Sequence, residues 1–368
     1  MRCVAMGSQS RLRPGDIVEV RPAAEILATL DDRGTLEAIP FMPEMLQHVG
    51  RRFVVAKSVE KICDTISGGY GSRRMRNVVF LEQLRCDGSA HGGCQAECRL
   101  YWKEAWLKKV ASLTAATAGT QGDDLSLAAL QLILQRNVLA VDGAETSTQL
   151  FRCQATEALR ATTPLSSWEL GQYLRELTAG NVGWTNFLRV GSRALAWEFA
   201  RAAWRSIGRR SGGRGVTPAT AAVSRSPLDL KPGDWVEVKS AAEIMQTLGP
   251  NYRNKGLSFA TSEMLPACGK RFRVRRRVDR IIDEPTGRLL TLKNDCVVLE
   301  GFVCKGDRSS GRYFCAREIY PFWREAWLRR VAEPAAISPP RFWYPRPATS
   351  GILSILVSSV RQWWAPSH

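Results

Sequence analysis

Four cysteines in the first third of the chain have the chemistry expected of a metal site. Cys94 and Cys98 are four residues apart in a segment that we expect to be helical, so that their sulfurs would share one helix face. Cys86 lies in the Gly/Asp-rich loop just before them, and Cys63 follows a strand-like segment. Four thiolates can enclose a tetrahedral Zn²⁺ ion or ligate an iron–sulfur cluster. We therefore predict a metal site formed by Cys63, Cys86, Cys94 and Cys98, with Zn²⁺ as the cofactor and an iron–sulfur cluster as the alternative.

Other interpretations of these thiols stay open at this point. Cys153 would replace Cys63 as a ligand if the middle of the chain packs on the first part, although a small residue on a buried helix face is also an ordinary role. His91 could substitute as a ligand, but its glycine-rich loop predicts that it is exposed to solvent. The cysteines could also be buried, unreacted thiols, or form disulfides.

A basic stretch in the second half has a spacing suited to anions. On a β-strand, alternate residues point to the same face, so the arginines of residues 270–277 would form a row. Such a row suits contacts with phosphates, whereas the competing interpretation is a solvated edge strand protected from aggregation by its charge. The predicted anion-binding residues are Lys270, Arg271, Arg273, Arg275 and Arg277.

The charge balance of the whole chain points to the same class of partner. Lys and Arg total 52 and Asp and Glu total 35, so the net charge of the 368 residues is 52 − 35 = +17. This balance favours an anionic partner, nucleic acid first, but it does not bear on the fold.

An internal repeat organises the elements that must position these residues. Residues 12–112 and 228–332 carry the same ordered motifs, too many to arise by chance. The matching segments include Pro14-Gly15-Asp16 with Pro232-Gly233-Asp234, Glu44-Met45-Leu46 with Glu263-Met264-Leu265, and Trp102-Lys103-Glu104-Ala105-Trp106 with Trp323-Arg324-Glu325-Ala326-Trp327. Each copy opens with a Pro-Gly-Asp turn, continues with alternating strand-like segments, and is expected to close with a helix, at residues 94–110 and 315–331.

The turn, the short strands and the Gly-Arg/Lys-Arg-Phe-x-Val segment resemble the SH3-like small β-barrels of ribosomal and transcription proteins and of the nitrile hydratase β chain. This resemblance implies a barrel fold and no particular activity. The predicted class is therefore α+β, with two SH3-like β-barrel modules, each closed by a helix, on either side of an all-α middle region. The middle region is residues 123–207, followed by a Gly/Ser/Arg-rich flexible linker at 208–227.

The last segment, residues 333–368, is rich in proline and aromatic residues and is predicted to contain a short apolar helix. Residues 351–364 are too few to span a membrane, but their tryptophans beside an arginine suit an interfacial anchor. Docking of this helix on the protein itself is the simpler interpretation.

Aligning the two copies provides an internal comparison for the cysteines. Cys94 aligns with Cys315, and Cys304 lies in the loop equivalent to that of Cys86, whereas Cys98 and Cys63 align with isoleucines. If the four cysteines form one metal site, a copy that no longer binds metal would be expected to lose several ligands together, as the second copy has lost two. The cysteines that persist leave open whether the second copy retains a site.

The sequence favours a binding protein over an enzyme. It contains only three histidines and no common catalytic motif. The absence of an export signal and ten reduced cysteines predict a cytoplasmic protein. The predicted function is a metal-binding scaffold that contacts an anionic partner; the alternatives are an iron–sulfur redox or biosynthetic accessory enzyme and a peripheral membrane assembly factor.

Overall fold

The computed structural model describes residues 11–67, 71–114, 123–140, 149–208, 228–249, 252–293 and 295–333. Of the flexible linker predicted at 208–227, residues 209–227 lie outside these ranges, and so does the tail segment 351–364. No helix of the described ranges combines the length and the apolar character needed to cross a membrane.

The first half is built from short antiparallel strands. Its elements are β1 (Ile17–Val20), α1 (Ala23–Leu27), β2 (Thr35–Leu36), β3 (Ile39–Pro40), β4 (Arg52–Ser58), β5 (Lys61–Cys63), β6 (Ser72–Arg74), β7 (Val78–Leu81), β8 (Trp102–Lys103) and β9 (Leu107–Lys109), with 3-10 helices at Pro43–His48 and Glu104–Trp106. Five of the strands form one sheet in the order β8-β7-β4-β1-β9. The turn at Gly15, whose φ is 89°, leads into β1, where Val18 and Val20 are buried.

The middle region contains both helices and strands. Its elements are α2 (Asp123–Val138), β10 (Leu139–Ala140), β11 (Leu150–Phe151), β12 (Thr163–Leu165), α3 (Gly171–Thr178) and α4 (Trp184–Gly208). β10 pairs with β11, and β12 pairs with β6 of the first half. The prediction of an all-α middle region is therefore wrong, because three of its segments are strands in antiparallel ladders.

The second half has a five-stranded sheet with the same arrangement as the first. Its elements are β13 (Trp235–Val238), α5 (Ala241–Met245), β14 (Arg253–Asn254), β15 (Leu257–Ser258), α6 (Thr261–Met264), β16 (Arg271–Arg277), β17 (Arg280–Ile282), β18 (Leu289–Thr291), β19 (Cys296–Leu299), β20 (Trp323–Arg324) and β21 (Leu328–Arg330), with 3-10 helices at Leu265–Ala267 and Glu325–Trp327. The sheet order β20-β19-β16-β13-β21 repeats that of the first half strand for strand.

The predicted SH3-like β-barrels, each closed by a helix, are not what the structure shows. In the described residues both five-stranded sheets are open, since β8 and β9 in one sheet, and β20 and β21 in the other, are edge strands. The segments expected to be closing helices are instead two strands joined by a single 3-10 turn. Only the broad α+β description holds.

The segment of residues 102–109 forms strands rather than a helix because of how its two tryptophans are buried. Trp102 pairs with Val79 across the β7–β8 ladder, while Trp106 in the 3-10 turn packs edge-on against Phe41, with ring centroids 5.0 Å apart. Leu107 then pairs with Val20 on the opposite edge of the sheet. The segment therefore gains ladder hydrogen bonds with β7 on one side and β1 on the other, which a helix would not make.

Two hairpins connect the halves reciprocally. We call the pair β5–β6 the first hairpin and the pair β17–β18 the second hairpin. The first hairpin contacts the second half, where the backbone N–H of Cys63 donates to Sγ of Cys315 at 3.2 Å. The second hairpin makes the equivalent contact with the first half, where the N–H of Ile282 donates to Sγ of Cys94 at 3.4 Å. Ile282 is accordingly part of the main hydrophobic core of the first half.

Candidate metal centre

A cavity lined mainly by the first half, and also by Ile282, Glu284, Arg317 and Ile319 of the second half, brings four of the cysteines together with a histidine and carboxylates. Its lining includes Glu44, Cys86, His91, Cys94, Cys98 and Cys153. Glu44 comes from the 3-10 helix Pro43–His48, Cys153 follows β11, and the other four residues belong to the long loop between β7 and β8. Three separate parts of the chain therefore converge on this cavity.

The tightest group in the cavity is formed by Glu44, Cys86 and His91. The Cys86 thiol donates to Oε1 of Glu44 at 3.3 Å, and its Sγ lies 3.3 Å from Nε2 of His91. One donor atom from each of the three residues can be chosen so that all lie within 4.8 Å of one another. Ligand atoms about 2.0 to 2.3 Å from a tetrahedral Zn²⁺ ion are about 3.3 to 3.6 Å apart, which matches the two contacts of Cys86.

Two polar atoms of this group are buried without a hydrogen-bond partner. They are Oε2 of Glu44 and Nδ1 of His91. The Nδ1 atom of His91 lies 3.7 Å from Oε1 of Glu44, which is too long for a hydrogen bond. The two residues are only 6% and 1% exposed, and a buried polar group left unsatisfied costs about 1–3 kcal/mol. A cation bound by the carboxylate of Glu44 would compensate for that cost at Oε2.

Burial makes all three groups favour their neutral forms. It raises the pKa of the Glu44 carboxyl and lowers the pKa of His91 to about 4. Burial, together with the charges of Glu44 and Cys98, raises the pKa of the Cys86 thiol far above its usual range. Neutral imidazole is the form that coordinates metals, and a divalent ion would replace the proton of the Cys86 thiol.

The glycines of the loop hold Cys86 and His91 in this arrangement. The N–H groups of His91 and Gly93 both donate to the carbonyl oxygen of Gly88, at 3.1 and 3.0 Å, and this closes a tight turn. Gly88 has a φ of 75°, and a Cβ atom there would lie 2.0 Å from the carbonyl oxygen of Cys94. The turn therefore requires glycine at this position.

The remaining thiols of the cavity surround this group less closely. Cys153 is buried and Cys98 half-buried, and burial raises the pKa of each thiol to about 12. Cys94 accepts the N–H of Ile282 from the second hairpin. In the described ranges, Glu44, Cys86 and His91 form the only group of three or more potential metal donors whose chosen atoms all lie within 4.8 Å.

The predicted set of four cysteines is only partly brought together. Cys86, Cys94 and Cys98 line the cavity, but Cys63 lies in the first hairpin beside Cys315 of the second half. Cys153, considered as a replacement for Cys63, does line the cavity. Whether these cysteines bind a metal stays a prediction.

Two residues of the group were not identified from the sequence as preferred ligands. The expectation that His91 is exposed is wrong, because the glycine turn folds its ring into the interior. Its position, five residues after Cys86 and three before Cys94, is a ligand-like spacing that could have revealed it. Glu44 comes from a distant element, so no local spacing could indicate it.

In the second half, the glutamate that aligns with Glu44 has different hydrogen-bond partners. Glu263, which aligns with Glu44, accepts hydrogen bonds from the backbone N–H of Arg308 at 3.1 Å and the hydroxyl of Ser309 at 2.7 Å. Oε1 of this half-exposed carboxylate is therefore satisfied by two protein donors, whereas Glu44 has a buried oxygen without a partner.

The predicted arginines lie on one strand, but its pairing with β19 is irregular between Val274 and Arg276, and most of them form ion pairs. All four predicted arginines lie on β16. Three of them pair with carboxylates: Arg271 with Glu237 at 3.6 Å, Arg275 with Glu97 at 2.6 Å, and Arg277 with Glu325 at 2.7 Å. Glu97 belongs to the first half, so its ion pair with Arg275 links the two halves.

Two of the predicted anion-binding residues have no carboxylate partner in the described ranges. Arg273 is exposed and donates to the carbonyl oxygen of Gly233 at 3.2 Å, and Lys270 is also exposed. These two side chains are the part of the basic row that can still contact an external anion.

Comparison of the chain with models of known protein families, with curated proteins and with solved structures finds no match in any of the three.

Proposed function

We propose that the protein is a metal-stabilised scaffold whose first half binds Zn²⁺ through Glu44, Cys86 and His91. The observation that carries this proposal is the convergence of three potential ligands in the protein interior, one of which, Glu44, holds a buried carboxylate oxygen without a partner. Cys86 would bind as a thiolate, His91 through Nε2, and Glu44 through a carboxylate oxygen.

The cavity can supply the fourth ligand from the protein itself. Thiols of Cys94, Cys98 and Cys153 line the same space, and a zinc site with four protein ligands is a structural rather than a catalytic site. Such a site would join the 3-10 helix, the loop and the segment after β11. It would therefore stabilise the region where the first half, the middle region and the second hairpin meet.

The donor set favours Zn²⁺ over an iron–sulfur cluster. The tight group offers one sulfur, one nitrogen and one oxygen, whereas iron–sulfur clusters are held mainly by cysteine thiolates. Zn²⁺ accepts all three kinds of ligand at a tetrahedral site. A cluster held by the cavity thiols is the alternative that metal analysis distinguishes.

Contact with an anionic partner, nucleic acid first, is the second candidate function. It is supported by the net charge of +17 and by the exposed side chains of Lys270 and Arg273. The ion pairs of the other arginines on β16 reduce the charge that this strand can offer, so the proposed contact is confined to its first residues.

The experiment that tests the metal site is elemental analysis of the full chain and of two matched variants. Glu44→Gln removes a proposed ligand, and Glu263→Gln makes the same change at the aligned position of the second half. We expect one Zn²⁺ per chain in the wild type and in Glu263→Gln, and a weakly held ion in Glu44→Gln. A Cys86→Ser variant should lose the ion.

Replacement of Zn²⁺ by Co²⁺ gives a second readout, because thiolate ligands produce an intense charge-transfer absorption. That absorption should be present in the wild type and absent in Cys86→Ser. Zinc retained equally in all variants would overturn the proposed ligand set, and iron with stoichiometric sulfide would favour the cluster.

A further inference from the structure

A second pair of thiols lies where the first hairpin contacts the second half. Cys63 donates its backbone N–H to Sγ of Cys315 at 3.2 Å, which makes the two cysteine side chains close neighbours. The residues are 7% and 4% exposed and are 252 positions apart in sequence. The fold, rather than any local motif, therefore brings these two sulfurs together.

The equivalent contact in the first half shows that packing does not require the second thiol. There, Sγ of Cys94 accepts the N–H of Ile282 at 3.4 Å, so the same backbone-to-sulfur hydrogen bond is made with an isoleucine side chain in place of cysteine. The contact of the first hairpin therefore differs in having a second sulfur, that of Cys63, which the backbone hydrogen bond does not require.

The surroundings of the pair favour one ionised and one protonated sulfur. The hydrogen bond from Cys315, followed by the guanidinium groups of Arg317 and Arg312, lowers the pKa of Cys63 to about 6. The same hydrogen bond and burial raise the pKa of Cys315. A thiolate beside a protonated thiol is the arrangement from which disulfides form readily.

We propose that Cys63 and Cys315 are an oxidation site, at which a hydroperoxide converts the thiol pair into a reversible disulfide between the first hairpin and the second half. In the first step the sulfur of Cys63 attacks one oxygen of the peroxide and the O–O bond breaks. This gives a sulfenic acid on Cys63, and the released hydroxide takes up a proton to become water.

In the second step the sulfur of Cys315 attacks the sulfur of Cys63. The S–S bond forms, and the hydroxyl group leaves with the proton of Cys315 as a second water. The two sulfurs lose two electrons in total, and one molecule of hydrogen peroxide becomes two molecules of water. Thr65, two residues after Cys63, is exposed, so the buried pair lies close to the surface along the chain.

The test is treatment of the zinc-loaded full chain with stoichiometric hydrogen peroxide, followed by alkylation of the remaining thiols and peptide mass spectrometry. We expect a linked peptide containing Cys63 and Cys315, loss of two free thiols per chain, and full reversal by a dithiol reductant. The zinc content should not change, because neither cysteine belongs to the proposed metal site.

A Cys63→Ile variant is the matched control, because it places at this contact the residue that the equivalent contact already carries. It should fold, retain its zinc and form no linked peptide. The proposal is overturned if Cys63 and Cys315 stay fully alkylatable, or if Cys63 is oxidised to a sulfinic acid without a link. A link from Cys63 to Cys304, or loss of zinc with oxidation of the cavity thiols before any link forms, would also overturn it.

Discussion

Replacing Glu176 with glutamine should remove a loss of stability that the wild-type protein shows as the pH rises from about 5 to about 7.5. Glu176 in α3 and Lys61 in the first hairpin are 1% and 0% exposed. Within the described ranges, Nζ of Lys61 forms no ion pair with a carboxylate. It donates to Oε1 of Gln172 at 3.1 Å and lies 4.1 Å from the ring centroid of Tyr173. Both charges are therefore held largely out of water.

The magnitude follows from the direction and size of the shift at Glu176. Burial raises the pKa of its carboxyl from an ordinary value of 4.5 to about 7. Between these values the folded protein binds more protons than the unfolded chain, so stability falls as the pH rises. A shift of this size corresponds to about 3 kcal/mol, most of which should be lost between about pH 5 and about pH 7.5.

The lysine contributes with the opposite slope at higher pH. Burial lowers the pKa of Lys61 to about 8, so the unfolded chain binds more protons above that value and stability rises again toward pH 10. Because the ammonium group of Lys61 lowers the pKa of Glu176, a Lys61→Met variant should show a larger fall across the acidic range than the wild type.

The assay is chemical denaturation of the wild type and Glu176→Gln at several pH values. Burial lowers the pKa of His91 and of His48, and these groups add stability as the pH rises through the same range. The informative quantity is therefore the difference in unfolding free energy between wild type and variant at each pH. If that difference is constant from about pH 5 to about pH 7.5, the carboxyl ionises normally and the reasoning is refuted.

Three further predictions concern the metal site and the charged contacts. A chelator should lower the denaturation midpoint of the wild type and leave that of Glu44→Gln almost unchanged; equal shifts in both would contradict the proposed site. Glu97→Gln should reduce the free energy of unfolding by about 1 kcal/mol, since its pairs with Arg275 and Arg276 are partly exposed, and a double-mutant cycle with Arg275→Met should show coupling rather than simple additivity. Combined Lys270→Ser and Arg273→Ser changes should flatten the salt dependence of any binding to single-stranded DNA, and an unaltered slope would remove strand β16 as the contact.

The strands were more readily predicted than the segment that closes each sheet. Alternation at Ile17–Val20 and the apolar run at Val78–Leu81 correspond to β1 and β7. Trp102 and Trp106 have helical spacing, but the same spacing arises when two edge strands are joined by a 3-10 turn. Periodicity alone cannot distinguish a helix from this strand–turn–strand structure, because the latter is stabilised by pairing with β1 and β7, of which β1 is far away in sequence.

The expected helix at Cys94–Cys98 failed for a local reason. Gly93 has a φ of 71° and Glu97 a φ of 48°, so the backbone turns into the left-handed region twice within five residues. A continuous right-handed helix cannot pass through these positions. The thiols nevertheless reach one cavity, because the turn rather than a helix face brings them together.

The sequence predicts only those members of the candidate site that are close to one another along the chain. The cluster around Cys86 is visible in the sequence, and Cys153 was recognised as a conditional member. Glu44 and the pairing of Cys63 with Cys315 depend on contacts between elements separated by 42 and 252 residues. Such contacts become apparent only after the halves have been assembled, since no spacing rule relates residues so far apart.

The reciprocal hairpins give the two halves the relationship that subunits have in an isologous dimer, where each copy offers the same patch to the other. In a dimer of identical chains, any substitution at such a contact appears on both sides of the symmetry axis. Joining the copies in one chain removes this constraint, so the two sides can acquire different residues. Here one contact places Cys94 against isoleucine beside the candidate metal ligands, while its counterpart places Cys315 against a second cysteine. Covalent fusion thus allows a single symmetric architecture to carry two different sulfur chemistries.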